Sequence, residues 1–361
     1  MKILNIVSAK IWGGGEQYVY DVCREMTKRN IENYVLVDKR NTSLQEKFSK
    51  VSKVLFANLY SFNGMMAFNE ILNFIDTYDI NIVNCHSGKM MPLCLLIKKF
   101  RNIKIVLFKH NATKSKEDFY HKYMRNNTDA IICVSNLVYN LQIEGLSDVE
   151  KQKYHIVHNG ILIERFEKHK RVVKDENRFI IGYAGRITEN KGIGVLLKAV
   201  KNLHELHNNI EFNFVGADEG DYLNQLQSEI AINGMMGYAK YNGLETDMEK
   251  FYKSIDVLVL PSIVREAFGL VICEAMYCGV PVISSNSGAQ NEIIEDGVDG
   301  IIINTVEEDI LVERILEIYN GRVDINFLTK NAKIKVDKYF NISNTVDNLN
   351  KIYNLLYEHN L

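Results

Sequence analysis

Two carboxylates, Glu266 and Glu274, are spaced as E-x7-E within the segment Pro261–Asn291, P-S-I-V-R-E-A-F-G-L-V-I-C-E-A-M-Y-C-G-V-P-V-I-S-S-N-S-G-A-Q-N. The pattern reads as a buried strand ending at Pro261, a loop carrying Glu266, and a helix starting near Gly269 with Glu274 in its first two turns. Free N–H groups at a helix start, here Phe268 to Val271, suit a phosphate. Carboxylates before and inside that helix suit the hydroxyls of a sugar or ribose. The plainer alternative is a capping carboxylate plus a surface glutamate. A second set lies in Tyr183-Ala184-Gly185-Arg186-Ile187-Thr188-Glu189-Asn190-Lys191-Gly192. Arg186 and Lys191 flank a tight turn after a predicted strand, where a diphosphate would need charge neutralisation and bidentate hydrogen bonding. Solvated loop cations are the bland alternative.

The third element is Ile11-Trp12-Gly13-Gly14-Gly15-Glu16, after the first predicted strand. Its glycines let backbone N–H groups converge on an anion or a sugar. It lacks the dinucleotide pattern, because Tyr18 stands where G-x-G-x-x-G needs glycine, and this argues against a nicotinamide or flavin enzyme. His110 ends an apolar strand at its carboxyl end, a position equally open to a structural histidine. No D-x-D occurs, so no carboxylate cage for a divalent metal is expected.

These residues need elements that carry them to one place. Short apolar runs alternate with amphipathic helical patterns along the whole chain, which implies parallel sheets covered by helices on both faces. Two doubly wound domains are expected, residues 1–165 and 166–341, with an amphipathic C-terminal helix over about 342–361 able to pack back on the first. The charged run Glu164–Arg178 reads as a solvated linker between them. Ligands in such folds bind beyond the carboxyl ends of the strands, which directs attention to a cleft between the domains.

Of the 361 residues, 47% are apolar and 24% charged, an ordinary globular composition. The formal net charge of −2 would exclude nucleic acid as a partner, yet it averages two unlike halves. Residues 1–165 hold 23 basic and 16 acidic side chains, whereas residues 166–361 hold 20 and 29. The basic excess is concentrated between Lys89 and Arg125, interleaved with Leu95, Leu96, Phe100, Phe108, Phe119, Tyr120 and Tyr123. A solvated basic face with much of that apolar set in the core is one reading. A peripheral contact with anionic membrane is the other. The six cysteines sit singly in apolar segments and read as buried, reduced thiols. No signal-peptide pattern or spanning segment is apparent, so a cytoplasmic location is expected, with the inner face of the cell membrane as the working surface.

Taken together, these motifs resemble those of the retaining glycosyltransferases of family 4, which have the GT-B architecture of two Rossmann-like domains facing across a cleft. The resemblance rests on the E-x7-E segment, G-R-x-x-x-x-K-G at Gly185–Gly192, H-N-G-I at His158–Ile161 and the first-domain glycine loop. Ser287-Gly288-Ala289-Gln290-Asn291-Glu292 follows only loosely the family's glycine-rich loop. The resemblance implies that Arg186 and Lys191 hold the donor's diphosphate, Glu274 the ribose hydroxyls, and Glu266 the donor sugar. It assigns phosphate oxygens to the amides of Phe268, Gly269 and Leu270, and the nucleotide base to Gly243 and Leu244. Gly14 and Gly15 would close over the donor, with His110 near the reacting centre. The implied reaction moves a sugar with retention from a UDP- or GDP-sugar to a hydroxyl of a glycan or lipid-linked acceptor, in bacterial surface-polysaccharide synthesis. No cofactor or metal is implied, since two fixed cations and a helix start can serve instead. A sugar-nucleotide epimerase of the same architecture and a non-catalytic sugar-nucleotide-binding protein are the competing readings.

Overall fold

The computed structural model describes residues 1–9, 12–59, 64–169, 175, 177–218 and 220–358. Ile11 of the glycine segment, part of the charged run and the last three residues of the expected C-terminal helix lie outside the described residues. The chain forms two compact units, one of Met1–Gly160 with Ile342–Leu361 and the other of Ile161–Asn341.

The first unit is built on a seven-stranded parallel sheet. In chain order its strands are β1 (Ile3–Val7), β2 (Asn33–Asp38), β3 (Lys53–Ala57), β4 (Ile82–Cys85), β5 (Lys104–Lys109), β6 (Ala130–Cys133) and β7 (Tyr154–Ile156). In space they run β3-β2-β1-β4-β5-β6-β7, so the order reverses between β1 and β4, where the chain switches sides. The central strands are buried throughout and mostly apolar, as in Ile3, Leu4, Ile6 and Val7, with Asn5 and Asn84 as buried polar exceptions, because helices cover both faces. One of those helices is Ile342–Glu358 at the end of the chain. It buries Ile342, Val346, Leu349 and Tyr353 in this unit.

The second unit holds a six-stranded parallel sheet: β8 (Phe179–Ala184), β9 (Ile210–Val215), β10 (Ala239–Tyr241), β11 (Val257–Leu260), β12 (Val282–Ser285) and β13 (Ile301–Ile303). The spatial order is β10-β9-β8-β11-β12-β13, with the switch between β8 and β11. Segments leaving β8, β10 and β11 carry the second unit's residues singled out above.

Two local expectations need correction. Residues 161–165, read with the first domain, belong to the second unit, where Ile161 N donates to Phe340 O at 2.8 Å and Ile161 bridges to Asn341. The start of the charged run is also packed rather than solvated. Ile163–Phe166 forms a 3-10 turn that buries Phe166, Arg165 pairs with Glu274, and the Tyr277 hydroxyl donates to Glu167 at 2.7 Å. All six cysteines are free thiols, five of them buried. Among the described residues, no helix is long and apolar enough to cross a membrane.

Candidate active site

In the second unit, Lys191 and Glu266 come together although 75 positions separate them. The Lys191 ammonium donates to Glu266 Oε1, and the Ser262 hydroxyl donates to the same oxygen at 2.5 Å. Backbone contacts make this pairing. Gly192, at φ +73°, closes the turn that carries Lys191, and a Cβ there would lie 2.0 Å from the Pro261 carbonyl oxygen. Only glycine allows this approach with a left-handed backbone. The turn and the Glu266 loop are further joined by Ile263 N and Val264 N, which donate to Asn190 O at 3.0 and 3.3 Å. On its other side Glu266 rests against Gly288, where a Cβ would come within 2.3 Å of the Glu266 carbonyl oxygen and 2.4 Å of its nitrogen. Ala289 N donates to Glu266 O at 2.9 Å.

Below Ser262 lies a hydroxyl shelf at the end of β12. The Ser285 hydroxyl donates to Ser262 O at 2.7 Å and reaches Ser287 Oγ at 3.3 Å, and Gln290 Nε2 donates to Ser287 Oγ at 2.8 Å. Neither Ser262 nor Ser285 was singled out from the sequence. Their signal was faint: Ser262, two residues past β11, and Ser285, the last residue of β12, stand at the ligand end of a parallel sheet.

Glu274 sits on the helix Leu270–Tyr277, whose N-cap is Gly269 at φ +120°. The residue is only 5% exposed. Tyr252 OH donates to Oε2 at 2.8 Å, and Arg165 Nη1 stands 3.5 Å from Oε1. Burial raises the pKa of Glu274, against the opposing pull of Arg165 and Tyr252. Phe268, just before the helix, is buried against Phe340, so it is the backbone of Phe268–Leu270 that stands at the helix start. Arg186 follows β8, and its carbonyl accepts from Tyr183 OH at 3.0 Å. Gly243 and Leu244 follow β10. Gly243 takes φ +77°, its carbonyl accepts from Gly216 N at 2.9 Å, and the Leu244 side chain is exposed.

In the first unit the glycine segment opens the helix Gly14–Lys28. Gly13 N donates to Glu16 Oε2 at 3.0 Å, so this amide is already engaged by a carboxylate of the same turn. A Cβ at Gly15 would meet nothing within 4 Å, leaving open space beside the helix start. His110 stands half-buried after β5, 3.1 Å from His86 across Nε2 and Nδ1. His86 follows β4 as His110 follows β5 but was not singled out from the sequence, because only the sheet brings the two rings together.

One group among the described residues brings three metal-type ligands together, His169, Asp247 and Glu249. Glu249 is occupied by the Lys253 ammonium at 2.5 Å and by the amides of Lys168 and His169, so an internal cation already fills the place. The arrangement is an ion-pair cluster that ties 168–169 to the second unit.

Two family models match the chain, one over each half. The family described as Glycosyltransferase Family 4 matches residues 12–165, and Glycosyl transferases group 1 matches residues 164–335. The chain belongs to the GT-B glycosyltransferases. Among its relatives, the lipopolysaccharide 1,2-N-acetylglucosaminetransferase of Salmonella typhimurium is 29% identical over 274 residues, 70% of this chain and 68% of that protein. The UDP-Gal:alpha-D-GlcNAc-diphosphoundecaprenol alpha-1,3-galactosyltransferase of Escherichia coli is 24% identical over 318 residues, 83% of this chain and 81% of that one. Among solved structures, Anabaena HepE in complex with UDP-glucose superposes with a TM-score of 0.82 at 19% identity, covering 98% of this chain and 99% of that one. At that identity the likeness shows the fold. This GT-B chain thus places its paired Lys191 and Glu266 at the strand ends where the fold takes ligands.

Proposed function

We propose that this glycosyltransferase moves a sugar, with retention, from a UDP- or GDP-sugar to a hydroxyl of a glycan or lipid-linked acceptor in bacterial surface-polysaccharide synthesis. The observation that carries the reading is the Lys191–Glu266–Ser262 cluster, stitched together by Gly192 and Gly288 beside the glycine-capped helix that holds Glu274. Similarity to enzymes of lipopolysaccharide and lipid-linked glycan synthesis supports the acceptor class.

In this reading Arg186 and Lys191 bind the donor diphosphate, assisted by the amides of Phe268, Gly269 and Leu270. Glu266 meets the donor sugar, Glu274 the ribose, and Gly243 with Leu244 the base. Gly14, Gly15 and His110 serve the sugar from the first unit. Scission of the sugar–phosphate bond builds negative charge on the departing diphosphate, so fixed cations there favour the transition state over the ground state. The acceptor hydroxyl attacks from the leaving group's face and gives its proton to a phosphate oxygen of the departing diphosphate. No metal and no covalent enzyme nucleophile takes part. Glu266 Oε1 already accepts two hydrogen bonds, which reduces its nucleophilicity.

The test is incubation of the purified chain with a panel of UDP- and GDP-sugars in the presence of a chelator. Hydrolysis or transfer of one donor is expected, and replacing Arg186 or Lys191 by alanine should lower kcat by about 10²–10³. Epimerised donor without acceptor use, nucleotide binding without turnover, or kcat near wild type in both variants would each overturn the reading. A trapped glycosyl–Glu266 adduct would replace same-face attack by double displacement.

The exposed side chains of the helix Phe119–Asn126 favour a second element of this reading, contact with an anionic membrane. Phe119 is 85% exposed and stacks on Tyr123, itself 53% exposed, while Lys122 points outward beside them. Of the seven apolar residues named in the basic stretch, Phe108 alone is buried, while Met91, Ile97, Ile105 and Val106 between them supply core.

A further inference from the structure

Polar side chains of the first sheet line up beneath the helices Gly14–Lys28 and Ile342–Glu358. Residues paired across parallel strands point to the same face. The pairing of Asn5 with Asn84 and of Asn84 with Val106 therefore puts Asn5, Asn84, His86, Phe108 and His110 on one side. Cys23 and Tyr18 from the first helix and Tyr353 from the last pack over them.

The hydrogen-bond directions among these groups follow from the orientation of the Asn5 amide. The Tyr34 carbonyl can only accept, so the Asn5 amide turns its Nδ2 toward it, at 3.4 Å. Asn5 Oδ1 then accepts from Asn84 Nδ2 at 2.9 Å and meets His86 Nε2 at 3.1 Å. His86 must carry its proton on Nε2, which leaves a lone pair on Nδ1. His110 Nε2, 3.1 Å from that lone pair, must donate. Burial holds His86 well below the ordinary histidine range and His110 down at about 4, so both rings are neutral and each has a single proton to place. The ring positions are fixed by Phe108, 4.4 Å from His86, and by Tyr18, edge-on to His110 at 5.5 Å.

We propose that His86, anchored by Asn5, is a positioning residue that locks His110 as its Nε2–H tautomer, so that His110 offers a bare Nδ1 acceptor to the sugar. A lone pair there accepts from a hydroxyl or an amide N–H and repels a carboxylate. The site thereby selects neutral hydroxylated or N-acylated sugars against uronates at that contact. The proposal rests on the assignment of His110 to the sugar site made above.

The test is two-bond 1H–15N spectroscopy of the full chain labelled on histidine at pH 7, with the His110 signals identified by their loss in His110→Gln. Wild-type His110 should show a protonated Nε2 and a bare Nδ1. His86→Phe keeps a ring but removes the acceptor, and should give mixed tautomers with kcat lowered about tenfold, the scale of one hydrogen bond. Its donor KM should change little. His86→Gln restores an acceptor and should recover the single tautomer. A protonated Nδ1 on wild-type His110, or a tautomer indifferent to His86→Phe, overturns the proposal, and the wild-type spectrum decides even if a variant fails to fold. The spectra read the lock independently of turnover. A locked His110 in a chain that transfers no sugar therefore overturns the site assignment and leaves the lock standing.

Discussion

An alanine at position 288 would bring its Cβ to 2.3–2.4 Å from the backbone of Glu266, so either the Ser287–Ala289 loop or Glu266 must move. Displacement of a positioned group by about 1 Å costs on the order of 10² in rate. Gly288→Ala is therefore expected to lower kcat about 10²-fold, and Ser262→Ala, which removes one hydrogen bond to Oε1, about tenfold. Steady-state transfer assays check both, and wild-type rates in Gly288→Ala would show that the loop does not position Glu266. Glu274 yields a prediction about stability. Truncating Arg165 leaves a buried carboxylate without its cation, and Arg165→Ala should cost about 3 kcal/mol in denaturant unfolding of the chain. The sign of the pH effect follows from the raised pKa of Glu274. The folded state binds this proton more tightly than the unfolded chain, so stability is greatest below the unfolded value and falls as pH rises through the folded one. Glu274→Gln does not titrate. Its stability relative to wild type should thus increase between pH 4 and pH 7, and a flat difference would refute the burial argument.

At the scale of elements, the helix Phe119–Asn126 carries a membrane prediction. Its apolar side chains would gain by leaving water, and each nearby lysine adds roughly 1 kcal/mol at an anionic surface. Wild-type chain should co-sediment with vesicles containing anionic lipid in preference to neutral ones. Replacing Phe119 and Tyr123 together by serine should weaken that binding several-fold, whereas equal binding to both vesicle types would remove the idea. This helix also shows what sequence reasoning could reach. The basic–aromatic interleaving was visible, but whether the aromatics formed core depended on strand pairing that no local pattern encodes. Most strands were legible because central strands of a doubly covered sheet are largely apolar runs, interrupted here at single positions such as Asn5 and Asn84. Edge strands β3 and β10 were not, since Lys53–Ala57 is half-exposed and Ala239–Tyr241 has only three residues. Glu266, Glu274, Arg186 and Lys191 were legible from spacing around glycines and prolines. By contrast, Ser262, Ser285, His86 and the Arg165–Glu274 pair depend on contacts made in three dimensions, between residues 23, 81 or 109 positions apart.

For the whole molecule, the chain's path makes its end part of its beginning. The helix Ile342–Glu358 contributes Ile342, Val346, Leu349 and Tyr353 to the first unit's core, all nearly inaccessible to solvent. The Tyr353 hydroxyl accepts from Asn84 Nδ2 at 2.7 Å, while Arg29 reaches Asp347 and Ser343 at 2.5 Å each. Full burial of one such side chain is worth roughly 1.5–3 kcal/mol. Four together approach the whole net stability of a domain, which is on the order of 5–15 kcal/mol. The helix groups with the first unit rather than with Ile161–Asn341. A chain ending at Asn341 should therefore lose the first unit's cooperative unfolding transition and keep the second's. In the same preparation, a nucleotide diphosphate should still raise the remaining melting temperature, because the residues assigned to the diphosphate and base lie within 186–274. Calorimetry with and without UDP or GDP separates these outcomes. Two intact transitions after truncation would mean that the last helix is an accessory to the first unit, and loss of both would mean that the units fold as one.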